Sequence, residues 1–327
     1  MTSERQQFFA PRRLGHVNLW TSDLAAGQQF YNSVCGLNVE FTEPGLAASF
    51  LGTGHTPHDV GLIEKTNGLP RYGRDGHMVL PPGIGHRAGL NHIAWELENE
   101  ADLVSAFRQL QAQQVKVDMT VDHQIAHSVY LSDPDGNSVE FYCDTVKHWR
   151  SVMHGEMDLI TSFWDPTTAE GFVERRYDEQ PSARPVPTAL VQPWRLTHVV
   201  LETAGLSAME SFYTTIGGLR IVDRVADGAV VLLGAAHADY PFNLVLCAAG
   251  ASRFGHAAFE LLDEADLERS LGRLHASGVP ILAELDMAWK RAIFLHDIDG
   301  LALEFYVRRA GVRQLRELSG TPLSWLV

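Results

Sequence analysis

The chain of 327 residues repeats itself, and that duplication constrains its fold more than any other feature. "HVNLWTSDLAAGQQFYNSVCGL" (16–37) aligns with "HVVLETAGLSAMESFYTTIGGL" (198–219), sharing His-Val, two leucines, Phe-Tyr and a closing Gly-Leu at the same offsets. "HIAWELENEADLVSAFRQL" (92–110) aligns with "HAAFELLDEADLERSLGRL" (256–274), and "DPDGNSVEFY" (133–142) with "DIDGLALEFY" (297–306). His92 precedes Glu140 by 48 residues, and His256 precedes Glu304 by the same 48. Independent drift would rarely preserve that spacing.

A weaker repeat lies inside each half. A strand bearing His opens each unit, an amphipathic helix follows, and three strands complete it. Leu103, Phe107 and Leu110 fall at helical spacing, and Leu24, Phe30 and Tyr31 mark the helix of the first unit. The expected fold is therefore α+β, with four βαβββ modules paired into two domains. The expected boundaries are 1–149 and 194–327, joined by a proline-rich linker over 150–193 that wraps one domain.

The segment "DPDGNSVEFYCD" (133–144) reads as a turn and then a strand. In that strand Glu140 faces away from Val139 and Phe141. A carboxylate in so apolar a segment needs water, a partner charge or a metal. The net charge of −14 leaves no basic face for nucleic acid and opposes anionic membranes. No apolar run approaches the roughly 20 residues of a membrane span. The start "MTSERQQFF" lacks a signal-peptide core, and three scattered cysteines form no disulfide framework, so a reducing cytoplasm is the expected location.

Paired βαβββ modules with His, His and Glu at these positions resemble the vicinal oxygen chelate superfamily. Four modules in about 300 residues are similar to its type I extradiol (catechol-cleaving) dioxygenases. The resemblance implies cup-shaped sheets and one metal, Fe(II) or alternatively Mn(II), held by His16, His92 and Glu140. Two imidazoles and a carboxylate form a facial triad that leaves adjacent positions open for a catechol and O₂. "PHDVGLIEK" (57–65) is similar to the family strand that carries an acid/base, which would be His58. "VDHQIAHSVYLSDPDGN" (121–137) resembles the segment carrying a tyrosine that hydrogen-bonds substrate, here Tyr130, and an outer histidine, His123, with His127 as its competitor.

The second half keeps His198, His256 and Glu304, but Phe242 stands where His58 does and Phe294 where Tyr130 does. Catalysis is therefore expected in the amino-terminal half, with the other triad a vestige or a second, non-catalytic metal site. The rivals are a glyoxalase, epimerase or thiol transferase on the same scaffold, and a metal-free binding protein of the antibiotic-sequestering kind. The glycine- and proline-rich stretch 71–89 reads as a lid over the cup or a surface loop. The tail 308–327 reads as helix then coil with an apolar end suited to docking. An exposed sheet edge makes self-association the expectation.

Overall fold

A computed structural model of the chain describes residues 7–236, 240–310 and 321–326. The first module comprises β1 (Arg13–Thr21), α1 (Leu24–Ser33), β2 (Asn38–Glu43), β3 (Ala48–Gly52) and β4 (Val60–Glu64). A short hairpin, β5 (Arg71–Tyr72) and β6 (Met78–Leu80), separates it from the second. That module runs β7 (Gly89–Glu96), α2 (Glu100–Ala112), β8 (Met119–Asp122), β9 (Ala126–Ser132) and β10 (Ser138–Asp144). Two short strands follow, β11 (Gly155–Glu156) and β12 (Ser162–Phe163).

The second half repeats the plan without the hairpin. Its third module is β13 (Arg195–Thr203), α3 (Leu206–Ser211) with a wide turn over Phe212–Ile216, β14 (Arg220–Val225), β15 (Val230–Gly234) and β16 (Leu244–Ala248). The fourth is β17 (Arg253–Glu260), α4 (Glu264–Ser277), β18 (Ala283–Asp286), β19 (Lys290–His296) and β20 (Ala302–Arg308). Each helix except α3 begins on a side-chain cap. Asp23, Asn99 and Asp263 accept from the backbone N–H of Ala26, Asp102 and Asp266.

The modules pair within each half, giving α+β architecture with one large sheet per half. The first sheet has the order β11-β2-β3-β4-β1-β7-β10-β9-β8-β12, and the second β14-β15-β16-β13-β17-β20-β19-β18. Antiparallel β1 and β7 join the modules at the centre of one, and β13 and β17 at the centre of the other. Both central pairs shift register just before the histidine, between Leu14 and His16 and between Leu196 and His198. Such a bulge re-aims the side chain that follows.

Alternation then sorts every central strand. Val17, Leu19, Ile93, Trp95, Val139 and Phe141 pack into one apolar core shared with helices of both halves. Their neighbours His16, Asn18, His92 and Glu140 turn to the other face, which curls into a cup. The segment read as linker does more than connect: β11 pairs with β2 and β12 with β8, so it covers both edges of the first sheet. Among the described residues no helix is long and apolar enough to cross a membrane.

The halves are locked by a reciprocal pair of hydrogen bonds. Tyr31 of the first "FY" donates to Asp297 Oδ2 at 3.0 Å, and Tyr213 of the second donates to Asp133 Oδ2 at 3.0 Å. The other oxygen of each aspartate closes its own turn. Asp133 Oδ1 accepts from Asp135 and Asn137 N–H, and Asp297 Oδ1 from Asp299 and Leu301 N–H. The duplicated Phe-Tyr and Asp-x-Asp-Gly motifs thus meet each other across the interface. Tyr31→Phe and Tyr213→Phe should each lower stability by about 1–3 kcal/mol, because each leaves a buried carboxylate oxygen short of a donor. The shift in urea midpoint at unchanged slope measures it, and no shift in either variant would refute the lock.

Candidate metal centre

At the floor of the first cup, β1, β7 and β10 bring His16, His92 and Glu140 together. His16 Nε2 and His92 Nε2 each lie 3.0 Å from Glu140 Oε2 and 3.3 Å from one another. Two ligands bonded at right angles to one ion at about 2.1 Å are about 3.0 Å apart, so the three atoms fit one triangular face around such an ion. All three residues are buried, Glu140 with 2% of its surface exposed. Burial opposes ionisation of Glu140, but hydrogen bonds and charge from His16 and His92 outweigh it and hold its carboxyl well below the usual range.

The surroundings orient the three donors. Ser128 Oγ donates to Glu140 Oε1 at 2.5 Å, leaving Oε2 for the imidazoles. Asn91 Oδ1 lies 2.5 Å from His92 Nδ1, and a proton there leaves Nε2 as the donor atom. Ala94 sits opposite both His16 and Glu140 in the sheet and keeps the space between them small-sided.

His58 lies just before β4 with its ring centroid 4.0 Å from that of His16 and 4.9 Å from that of Phe50. Among the described residues neither of its ring nitrogens has a hydrogen-bond partner. Burial, followed by the neighbouring His16, drives its pKa well down, so the ring is neutral at physiological pH. Tyr130 lies directly across from Glu140 in the β9–β10 register. Its hydroxyl is 3.1 Å from His123 Nε2, and burial raises its pKa well above the ordinary phenol value. Burial pushes the His123 imidazole down to about 4. His127 faces the other way: it pairs with Glu100 of α2 and stacks on Trp164, so of the two histidines only His123 lines the cup.

Ser128, Asn91, Asn18 and Tyr142 were not picked out from sequence. Ser128 and Tyr142 stand two residues from Tyr130 and Glu140, so strand alternation alone would have put them on the cup face. The cup encloses about 760 Å³. Its upper wall is apolar, with Trp20, Phe41, Phe50, Ile63, Ile125 and Ile160 prominent. The stretch 71–89 supplies part of that wall through Met78, Val79, Leu80 and Ile84. Among the described lysines and arginines only Lys116 reaches the lining, largely exposed and bound to Asp118 at 2.6 Å.

The second cup groups His198, His256 and Glu304, but less evenly. His256 Nε2 is 3.1 Å from Glu304 Oε2 and His198 Nε2 is 3.8 Å from it. Lys290 Nζ lies 2.6 Å from Glu304 Oε1. Burial would raise the Glu304 carboxyl, but Lys290 and the two imidazoles hold it down to about 2. Phe242 and Phe294 occupy the positions of His58 and Tyr130 and are fully buried. Each triad brings three potential ligand atoms within 4.8 Å of one another.

Several known proteins are similar to the chain. A biphenyl-2,3-diol 1,2-dioxygenase of Rhodococcus globerulus is 33% identical over 147 residues, which span 44% of this chain and 71% of that protein. A catechol-2,3-dioxygenase of Bacillus subtilis is 29% identical over 223 residues, 68% of this chain and 70% of its own. Among solved structures, a 2,3-dioxygenase of Pseudomonas sp. KL28 superposes with a TM-score of 0.65 at 15% identity, covering 93% of this chain and 95% of that one, a likeness of fold. The family model of glyoxalases, bleomycin resistance proteins and dioxygenases matches residues 13–141 and 195–305, one stretch in each sheet. The chain belongs to the Glyoxalase/Bleomycin resistance protein/Dioxygenase superfamily.

Proposed function

We propose that the chain is an extradiol dioxygenase that opens the ring of a catechol beside its two hydroxyls, using O₂. Catalysis is assigned to the amino-terminal unit, residues 1–149, with Fe(II), or alternatively Mn(II), held by His16, His92 and Glu140. The observation that carries this reading is three donor atoms within 3.3 Å of one another at the floor of an apolar cup. The names of the two similar relatives support it. In the net reaction the ring C–C bond next to the diol breaks and both atoms of O₂ enter the product. Bound there, the metal would supply Lewis acidity toward the diol and a redox partner for O₂.

The chain's own residues then divide the remaining work. Glu140 and the two imidazoles set one face of the site and leave the opposite side open toward the cavity. Tyr130 donates its phenolic proton toward a substrate oxygen, and His123 Nε2 steadies that hydroxyl from behind. His58, neutral and with no hydrogen-bond partner among the described residues, takes a proton from the reacting diol and returns one to oxygen. Phe41, Phe50 and Trp20 keep bulk water from the ring edge.

Exhaustive chelation should abolish catechol-dependent O₂ uptake, and Fe(II) with a reductant should restore it. Full activity in the chelated protein would overturn the reading. His58→Gln should retain metal while turnover slows by a factor of about 10² to 10⁴, the scale of a lost acid/base. Tyr130→Phe should cost less, since a hydrogen bond is lost but no proton carrier. Single-turnover rates with metal content measured alongside separate these effects, and unchanged turnover in His58→Gln would exclude the assigned role.

The apolar wall makes a prediction about substrate. A phenyl substituent buried there gains about 2 kcal/mol over hydrogen. A carboxylate placed in the same wall would lose its hydration without gaining a buried cation. kcat/KM should therefore rank a phenyl-substituted catechol above catechol, and both above a carboxymethyl-substituted one. The reverse order in a kinetic panel would show that substrate enters by a different wall.

A further inference from the structure

The second cup keeps three potential ligands yet differs at several positions that surround them. Matching the strands places Lys290 of β19 where the first half has Ala126 of β9, since each stands 14 residues before its glutamate. Ala292 likewise stands where the first half has Ser128, and Thr197 where it has Gly15. Ser128 satisfies Glu140 Oε1 in the first cup, whereas Lys290 Nζ satisfies Glu304 Oε1 in the second. The lysine is only 3% exposed, and its ammonium also faces the Phe294 ring, with Nζ 5.8 Å from the centroid. Thr197 bridges His198 Nδ1 and the Tyr306 hydroxyl at 3.0 and 2.9 Å. In the first cup the matching Tyr142 hydroxyl has no partner among the described residues.

The rest of the second cup is filled with protein. Leu326 packs among Val200, Phe242, Phe294 and Tyr306, and Trp325 stacks on Phe294 with centroids 4.5 Å apart. Trp289 Nε1 donates to the Leu326 carbonyl at 3.2 Å, and Ser324 Oγ to Glu202 Oε1 at 3.0 Å. The described end of the tail, 321–326, thus docks on the chain's own second cup, and residues 311–320 of the segment read as helix lie outside the described residues.

We propose that Lys290 is the resident cation of the second triad, excluding a divalent metal from it, with the carboxy-terminal Leu323–Leu326 segment closing the cup above. A buried carboxylate needs a positive partner, and an ammonium already bound at 2.6 Å supplies it. A metal ion brought to the same three donors would meet that ammonium charge directly. The first cup, with Ala126 in place of the lysine, has no such tenant. The second half is then a closed scaffold that braces the first through the reciprocal Tyr–Asp bonds.

Metal content per chain, measured after equilibration with excess Co(II) and removal of loosely bound ion, tests this on the full chain. Wild type should hold one ion, Glu140→Ala none, and Lys290→Met two. Two ions in wild type would overturn the inference while leaving the proposed function standing. One ion retained by Glu140→Ala would place the metal at the second triad and overturn both. A folded Lys290→Met chain that still holds one ion would overturn the inference alone. Should Lys290→Met not fold, the reciprocal Ala126→Lys, which puts the same ammonium beside Glu140, decides the matter. Loss of its ion supports the inference, and retention of one ion refutes it.

Discussion

The desolvation of one carboxylate organises the first half. Glu140 sits on a strand whose other face, Val139 and Phe141, must be buried against helices, so its own face is carried into the cup by the same pleat. Buried there, it is tolerable only because Ser128 holds one oxygen and two imidazoles meet the other. Those imidazoles come from β1 and β7, the antiparallel pair at the seam between modules. The bulge beside His16 turns its ring toward the carboxylate. The metal-ready cluster and the module seam are thus one feature of the fold.

Duplication let the same requirement be met twice in different ways. Both halves bury a glutamate at the seam of two modules, and both surround it with histidines. One leaves the remaining charge to an ion that could come from outside, and its cup stays open over about 760 Å³. The other uses a lysine from its own β19 and closes the cup with aromatic rings and the chain's end. An open, partly polar cavity gives up packing density that the closed half retains. That difference is in keeping with the proposed division, in which one half reacts and the other braces.

The interface explains why two motifs without an evident chemical role were kept in both copies. Tyr31 and Tyr213 each reach an aspartate in the opposite half, and each aspartate also ties its own turn. The Asp-x-Asp-Gly turns therefore serve local geometry and domain docking together. Because these turns lead directly into β10 and β20, docking also fixes the strands that carry Glu140 and Glu304.

The α+β class and the number of modules were legible in the sequence because duplication fixes spacing, and spacing survives substitution better than identity. The three clustered donors were legible for the same reason, together with the period of two that sets Glu140 apart from Val139 and Phe141. Ser128 and Asn91 were open to the same reasoning but carry no motif of their own. Some features needed the tertiary structure. Strand alternation turns His127, three residues before Tyr130 on β9, to the opposite face, but only the fold shows that His123, in the turn before β9, reaches the Tyr130 hydroxyl. That Lys290 meets Glu304, and that Trp325 reaches Phe294, depends on segments far apart in sequence converging on one cup. Local pattern decides which face of a strand a side chain occupies. Only the curling of the sheet, and what covers it, decides what that face encloses.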